Sequence, residues 1–469
     1  MVTSYQRSPN DIFGWPILGF IFKNRRFIWL VRALTLGLFA YAMIYGFLYP
    51  TKEENLFTTA LFWSLFWPFF MVITLPTFGA IFCGICPHGT LGRWIQRFGL
   101  NRPMPSWLAT PAWGLGLILV SYWLILYIFP GLYKTPWIAA LFFLAWTLVA
   151  IVMFWLFGKM SYCKSLCPLG AITSSFSKVG FTWLSTYSDA CAQCKSFDCA
   201  KACPYGLSPF NFDKNNSMEN CKLCMECAHA CEAVRFEVKK PSASLFKAIP
   251  RPRAWQVWTF ILIAGAATIT MQLHHGLGRT GLMNSLPWVL QANLLYDMAI
   301  FPETMDVTGL LAFGYGLAIA LIFGVGGLWL AAKILGGDIK AQFLKLGYGL
   351  APLMIIGGLS HVLSFFFLHY YSDLVNGFSQ AFALGLPHQK PLASFKEPWM
   401  KVFDLFNYLA VIWSLVLIWT RLKLTEAPLQ KRLLAFIPAT ALVWAYLFLV
   451  IFRTWALIVY GVCKAHGAH

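Results

Sequence analysis

The sequence predicts an all-α polytopic membrane protein that carries an inserted cytoplasmic α+β domain. Three observations support this class: long apolar runs, a one-sided distribution of basic residues, and cysteines gathered in short stretches. The mean hydropathy of +0.64 and the 12% share of charged residues lie outside the range of soluble globular proteins. Apolar runs of about 20 residues match the thickness of the hydrocarbon core of a bilayer.

Nine apolar runs are long enough to be considered membrane-spanning helices. In chain order they cover residues 27–49, 57–82, 107–129, 137–157, 255–273, 308–332, 348–370, 402–419 and 433–460. A shorter stretch, 13–22, precedes them and is expected to lie flat at the membrane interface. The cysteine-rich region lies between the fourth and fifth runs. The predicted domains are therefore 1–157, with four helices, 158–253, with a ferredoxin-like fold, and 254–469, with five helices.

The basic residues indicate the orientation. Lys and Arg collect in the loops on one side of the predicted helices, in residues 23–26, 93–102, 158–253, 333–345 and 421–432. Cytoplasmic loops accumulate these residues, so we expect the N-terminus and the cysteine-rich region inside and the C-terminus outside a bacterial cytoplasmic (inner) membrane. The net charge of +18 therefore indicates lipid rather than nucleic acid as the partner.

Eight of the 13 cysteines lie within residues 191–231, in two runs of similar spacing. The first run reads Cys-x2-Cys-x4-Cys-x3-Cys-Pro and the second Cys-x2-Cys-x2-Cys-x3-Cys. Thiols at ligand spacing in a reducing compartment favour metal binding over disulfides. In this pattern three cysteines of one run hold a [4Fe-4S] cluster, and the fourth crosses to the other cluster.

Two ligand sets follow from this crossing. The first cluster set is Cys191, Cys194, Cys199 and Cys231. The second cluster set is Cys203, Cys221, Cys224 and Cys227. Zinc is disfavoured because a zinc module requires four ligands rather than eight interleaved ones.

The remaining paired cysteines form an internal repeat. Residues 83–91 read Cys-Gly-Ile-Cys-Pro-His-Gly-Thr-Leu, and residues 163–172 read Cys-Lys-Ser-Leu-Cys-Pro-Leu-Gly-Ala-Ile. Each copy ends a helical hairpin on the same side of the membrane, which brings the two pairs together if an axis along the membrane normal relates the hairpins. The membrane-edge set, Cys83, Cys86, Cys163 and Cys167, is therefore a candidate third metal centre. The alternative is that these are small buried residues beside helix-ending prolines.

The C-terminal part carries polar residues within apolar runs. The candidate ligands of a b-type haem are His274, His275, His361, His369 and Arg453. We expect His369 and the His274–His275 pair at similar depth, where two imidazoles could ligate the iron and Arg453 could pair with a propionate. The alternative is interfacial histidines and an arginine that extends toward the membrane surface. A quinone site in this half has no spacing signature.

The cysteine patterns together resemble those of the NapH, NosR and CcoG group of membrane polyferredoxins, over residues 57–253. The resemblance implies quinol-linked electron transfer to a redox partner protein, or metal reduction during assembly of a respiratory oxidase. The first pair here has x2 rather than the usual x3 spacing, and five further apolar runs follow the resembling region.

Two functions are therefore predicted. The favoured function is an electron-transfer subunit that links the quinone pool to another protein through iron–sulfur clusters, without a catalytic site of its own. The alternative is a copper reductase or an oxidase assembly factor. Such a factor would carry metal ligands outside the membrane, where this chain offers the sparse tail set Cys463, His466 and His469.

Overall fold

The computed structural model describes residues 7–192, 194–302, 304–395 and 397–462. The chain forms two compact units. Unit 1 comprises Met1–Leu117, Tyr133–Arg251 and Phe365–Ser394, and unit 2 comprises Ile118–Leu132, Pro252–Ser364 and Phe395–His469. The three-part division expected from the sequence stays a prediction. The tail residues Cys463, His466 and His469 lie outside the described residues.

Eight helices of the described chain are long and apolar enough to cross a membrane. They are Arg25–Leu48, Phe57–Phe78, Pro136–Leu156, Ala254–Arg279, Val307–Leu335, Ile339–Ala381, Pro398–Lys423 and Ala441–Tyr460. The expected class, a mostly helical polytopic membrane protein, is confirmed. The orientation in the membrane stays a prediction.

Several helix bounds differ from the apolar runs. The third run, 107–129, forms the shorter helix Ala112–Ile128, because Pro103, Pro105 and Pro111 hinder a helix before that point. The ninth run is divided at Thr440 into Leu429–Ala439 and Ala441–Tyr460, next to Pro438. Helix Ile339–Ala381 extends beyond the expected run at both ends. Hydropathy therefore located the helices better than it located their ends.

Shorter helices connect the long ones or carry cysteines. In chain order they are Pro16–Lys23, Ile81–Ile85, Pro87–Ile95, Gly131–Lys134, Ser161–Ser165, Pro168–Phe176, Ser188–Cys191, Asp198–Lys201, Phe212–Asn215, Glu226–Ala230 and Pro287–Asp297. Pro16–Lys23 coincides with most of the stretch that we expected at the interface.

A two-stranded antiparallel sheet frames the region with eight cysteines. Strands Thr182–Thr186 and Val234–Val238 pair so that Thr182 faces Val238 and Thr186 faces Val234. An isolated pair of strands is marginally stable in water and requires a packing partner. The N-terminal segment supplies this partner, because the Phe22 ring meets the Phe236 ring edge-on at 5.3 Å.

Buried Asp11 fixes the N-terminal segment to the sheet. Its carboxylate accepts hydrogen bonds from the backbone N–H groups of Phe13 and Phe236, both at 3.1 Å. Arg7 neutralises the carboxylate through an ion pair of 3.0 Å. The N-terminal segment is therefore attached to the strand that follows the cysteine-rich region.

Candidate metal centres

Two members of the membrane-edge set cap short helices in the same way. Cys86 is the N-cap of Pro87–Ile95, and Cys167 is the N-cap of Pro168–Phe176. In each case proline occupies the first helical position, where its missing N–H costs nothing. The Cys167 sulfur accepts a hydrogen bond of 3.4 Å from the N–H of Gly170, and the N–H groups of His88 and Gly89 face the Cys86 sulfur. A helix N-terminus stabilises a thiolate at this position.

The four membrane-edge sulfurs interact with one another. Burial, followed by the charges of Cys83 and Cys167, raises the pKa of Cys86 to about 12. Burial raises the pKa of Cys163 above its ordinary value, and the other three members of the set raise it further. Free thiols in this environment hold their protons at neutral pH, so a metal must displace them. The two halves of the repeat thus converge on one site, as thiolate ligation requires.

The second cluster set lines a single cavity. Cys203 comes from the first run and meets Cys221, Cys224 and Cys227 from the second run there. Leu223 and Met225 have left-handed backbone conformations, with φ of 48° and 62°. This curl directs backbone N–H groups at the sulfurs: Leu223 donates to Cys221 and Glu226 donates to Cys224. Such concave backbone segments bind anions, and many iron–sulfur sites use them.

The first cluster set is assembled around Cys199. Burial, and then electrostatic interaction with the three other members of the set, raises the pKa of Cys199 to about 11. Phe197 has φ of 52°, and its backbone N–H lowers the pKa of the Cys194 thiol. Cys227 of the second set also interacts with Cys199, so the two sets are neighbours.

The cysteine sets do not form a site for a single metal ion in the described part of the chain. Within the described residues, no three His, Cys, Asp or Glu side chains form a group that could hold one metal ion. Sulfurs around one tetrahedral ion stand about 3.8 Å apart, given metal–sulfur bonds of about 2.3 Å. In a cubane each thiolate binds a different iron atom, so the ligands stand farther apart. The donor sets therefore suit cubane clusters in type and number.

Arg32 connects two of the cysteine sets, a role that was not predicted from the sequence. Its Nε donates to the carbonyl oxygen of Gly84 at 3.0 Å, and its Nη2 donates to that of Cys224 at 2.7 Å. Its Nη1 forms an ion pair of 2.9 Å with Glu226. One guanidinium thus joins the Cys83–Cys86 loop to the second cluster set.

Gly84 brings the same two loops into backbone contact. A Cβ atom placed on Gly84 would lie 2.7 Å from the carbonyl oxygen of Leu223 and 3.1 Å from that of Lys222. A close approach of this kind requires glycine. The backbone of the Cys83–Cys86 loop therefore contacts the backbone of the second cluster loop directly.

Three of the four candidate haem histidines lie in unit 2. The rings of His274 and His275 are 4.8 Å apart, and the His361 ring lies 6.1 Å from that of His275. Tyr127 packs on both members of the pair, at 5.6 and 6.1 Å. His369 lies in unit 1, where its ring packs against Phe365 at 5.2 Å. Its depth relative to the pair stays a prediction.

Arg453 belongs to a polar network in unit 2. It forms an ion pair of 2.6 Å with Asp404. Asn407 continues the network by donating to Asp404 at 3.2 Å and by accepting a hydrogen bond of 2.6 Å from Tyr446. The pairing of Arg453 with Asp404 was not anticipated, because hydropathy places both residues near the ends of apolar runs and says nothing about which ends meet.

Comparison with protein families identifies the repeat. A family model described as a 4Fe-4S binding domain matches the chain twice, at residues 59–105 and 139–185. Each match contains one Cys pair of the membrane-edge set together with the apolar run before it. The internal repeat is thus confirmed, and both of its copies lie within matches to a 4Fe-4S binding domain. The region 191–231 lies outside both matches.

Two curated proteins are similar to parts of the chain. One is YccM of Escherichia coli (strain K12), a predicted electron transport protein, with 26% identity over 201 residues, covering 37% of this chain and 56% of that protein. The other is an uncharacterized protein, MJ0750, of Methanocaldococcus jannaschii, with 27% identity over 180 residues, covering 34% of this chain and 72% of that protein. The chain thus spans little more than half the length of the first relative. No solved structure matches the chain. The comparisons support iron–sulfur electron transfer in a multi-pass membrane protein.

Proposed function

We propose that this protein relays electrons between the quinone pool of a bacterial cytoplasmic membrane and a redox partner protein, through three [4Fe-4S] clusters. The carrying observation is that the twelve described cysteines converge in three sets of four. Each set fits a cubane in donor type and number. Each cluster would exchange one electron and has no open coordination site, so the chain conducts electrons rather than transforming a substrate.

The proximity of the sets suggests the order of the relay. The membrane-edge set follows directly on helices Phe57–Phe78 and Pro136–Leu156, so it is the set closest to the bilayer along the chain. The second set adjoins it through the backbone contact at Gly84. The first set adjoins the second through Cys227 and Cys199. We therefore order the clusters as membrane-edge, second and first, with the first nearest to the partner.

The sidedness of the relay rests on the basic loops. Lys and Arg concentrate on the same side as the cysteines, which favours a cytoplasmic position for the clusters. The partner protein would then dock on that side or receive electrons from a further subunit. Copper reduction is the rival function, but its external ligands would come from the tail after residue 462, which lies outside the described residues.

A b-type haem is the candidate link between quinol and the membrane-edge cluster. His275 and His361 come from different helices of unit 2, with ring centres 6.1 Å apart. Two metal–nitrogen bonds of about 2 Å each, plus the distance from each nitrogen to its ring centre, add up to roughly this separation. Bis-imidazole ligation would supply a one-electron carrier within the membrane. Of the candidate residues, we therefore propose that His275 and His361 would bind the haem iron.

Anaerobic electron donation to the purified protein distinguishes the two functions. A short-chain quinol analogue is expected to reduce the clusters, seen as loss of visible absorbance and as the appearance of an electron paramagnetic resonance signal. Under the rival function, clusters that had been reduced beforehand would be oxidised rapidly by Cu(II). In the separate experiment with the quinol, clusters that start oxidised would stay oxidised. A preparation without acid-labile sulfide would contradict both functions.

A further inference from the structure

Lys222 is a buried lysine within the second cluster loop. It follows Cys221 directly, and its side chain is only 1% exposed. A charged group is rarely buried to this extent without partners. In a segment of spacing Cys-x2-Cys-x2-Cys, the sequence alone shows Lys222 only as a spacer.

Three acceptors surround the Lys222 amino group. Its Nζ donates to the carbonyl oxygen of Gly170 at 2.7 Å, to the Thr173 hydroxyl at 2.8 Å and to the Ser174 hydroxyl at 2.9 Å. An ammonium group has three donors and no acceptor, so these three bonds use its full capacity. The geometry therefore suits the charged form of the side chain.

All three acceptors lie on helix Pro168–Phe176, whose N-cap is Cys167 of the membrane-edge set. The Thr173 hydroxyl also lies 3.6 Å from the Cys83 sulfur. The backbone of Lys222 thus belongs to the loop of the second cluster set. Its amino group lies beside residues that contact the membrane-edge set. Its charge lies close to both sets, because Cys221 precedes it in the chain and its amino group bonds the hydroxyl that faces the Cys83 sulfur.

We infer that Lys222 is a positioning residue that sets the redox potentials of the membrane-edge and second clusters together. This inference rests on the proposed function, because it assumes clusters at both sets. Four thiolates give each cluster a net negative charge, and reduction adds one electron without breaking a bond. A fixed cation close to both clusters stabilises the added electron at either one, and burial reduces the screening of this effect by water. The three hydrogen bonds of the Lys222 amino group go to Gly170, Thr173 and Ser174, none of which belongs to the first cluster set.

For the relay, the consequence is that the membrane-edge and second clusters have similar redox potentials. Raising both potentials by a shared charge keeps the step between them small. It also lowers the energy of the electron at the pair relative to the first cluster. Other cations near the second set, such as Arg32 and Arg93, remain when Lys222 is replaced, so the effect of this one charge is separable.

The test is a redox titration of the full-length, cluster-loaded protein with dithionite and mediators, followed by electron paramagnetic resonance. In Lys222→Met we expect the reduction equilibrium constants of two clusters to fall at least tenfold, which corresponds to about 59 mV for one electron. The third cluster should not shift. Lys222→Arg, which keeps the charge, should remain near the wild-type potentials.

Lys178→Met is the matched control. Lys178 is also buried, at 4% exposure, and its Nζ donates to the Ser217 hydroxyl at 3.3 Å. We expect no shift of any potential in this variant. Equal shifts in both lysine variants would overturn the inference, because they would reflect general loosening of the domain.

A second variant separates charge from hydrogen bonding. Lys222→Gln removes the charge but keeps donors, so it should retain iron and show the same paired shift as Lys222→Met. Unshifted potentials in fully loaded Lys222→Gln would overturn the inference and leave Lys222 with a structural role only. The titration uses dithionite and not quinol, so failure of quinol oxidation would count against the proposed function alone. Absence of sulfide in the wild-type protein would likewise refute the clusters before Lys222 is tested.

Discussion

Arg32 Nη2 donates a hydrogen bond of 2.7 Å to the carbonyl oxygen of Cys224. The arginine comes from a membrane-spanning helix, and the acceptor belongs to a proposed cluster ligand. This bond fixes a cluster loop to the membrane part of unit 1. It therefore offers a direct way to test whether the loop depends on that attachment.

Replacing Arg32 by Met should destabilise unit 1 and reduce its iron content. The variant leaves the Glu226 carboxylate and two backbone carbonyls without their donor, and each lost bond to a charged group costs about 1.5–3 kcal/mol. Thermal unfolding in detergent and iron analysis would measure the effect. Arg26→Met, on the exposed face of the same helix, is the control and should unfold like the wild type. Similar melting curves for all three proteins would show that Arg32 is dispensable.

The wild-type protein should contain about twelve non-haem iron atoms and as many sulfides per chain, four for each cubane. Replacing Cys83 and Cys167 together by Ser should lower both counts to about eight, since the membrane-edge set loses two ligands. Quinol-linked reduction of the remaining clusters should stop, whereas dithionite should still reduce them. A double variant with unchanged iron and full activity would return these cysteines to a packing role.

The crossed ligand assignment predicts exchanged effects of two single substitutions. Cys203→Ser should damage the second cluster and Cys231→Ser the first, although each residue belongs to the other run. Electron paramagnetic resonance of the reduced proteins, compared with Cys194→Ser and Cys224→Ser as local references, would identify the lost signal. If Cys203→Ser instead reproduced the Cys194→Ser spectrum, the assignment would be wrong.

Gly84→Ala should disturb the contact between the membrane-edge and second cluster loops. Its new Cβ would lie 2.7 Å from the Leu223 carbonyl oxygen, so the backbone must shift. We expect a lower melting temperature and slower reduction of the second cluster in stopped-flow experiments with quinol. Gly37→Ala is a suitable control, because no atom lies within 4 Å of its Cβ position in helix Arg25–Leu48. That change should be neutral or stabilise the helix by up to about 1 kcal/mol.

The haem proposal predicts that His275→Ala and His361→Ala each abolish haem binding. His274→Ala should retain haem, because His274 is directed to Asp306 at 3.6 Å instead. The pyridine haemochrome assay measures haem per chain independently of activity. Wild-type protein without haem, expressed in a haem-sufficient host, would remove this cofactor from the relay. His369→Ala serves as the variant in unit 1 and should also retain haem.

The sequence predicted the helical class and the membrane-edge repeat because both rest on local patterns. Apolar runs and Cys-Pro-x-Gly spacing are visible within about 20 residues, and their structural meaning is the same wherever they occur. Lys222 and Arg32 could not be recognised in this way. In the sequence Lys222 resembled a spacer between cysteines, and Arg32 resembled an ordinary charge within a helix. The packing of distant segments brings Lys222 to Gly170 and Arg32 to Gly84.

The ends of elements were harder to predict than their existence. Residue 107 is apolar, but the prolines up to Pro111 prevent the helix from starting before Ala112. The haem residues show the same difficulty in three dimensions. Hydropathy placed His369 near the end of one apolar run and His275 just after the end of another, whereas contacts assign them to different units.

The two-stranded sheet has a consequence for how the protein matures. Thr186 pairs with Val234, and Tyr187 N–H donates to the carbonyl oxygen of Ala233 at 3.0 Å. This pairing sets the chain leading into Cys191 beside the chain leaving Cys231, the two proposed ligands of the first cluster that are farthest apart in sequence. Pairing of the strands would therefore bring the fourth proposed thiolate to the other three. We expect insertion of the first cluster into a newly made chain to follow the folding of this sheet.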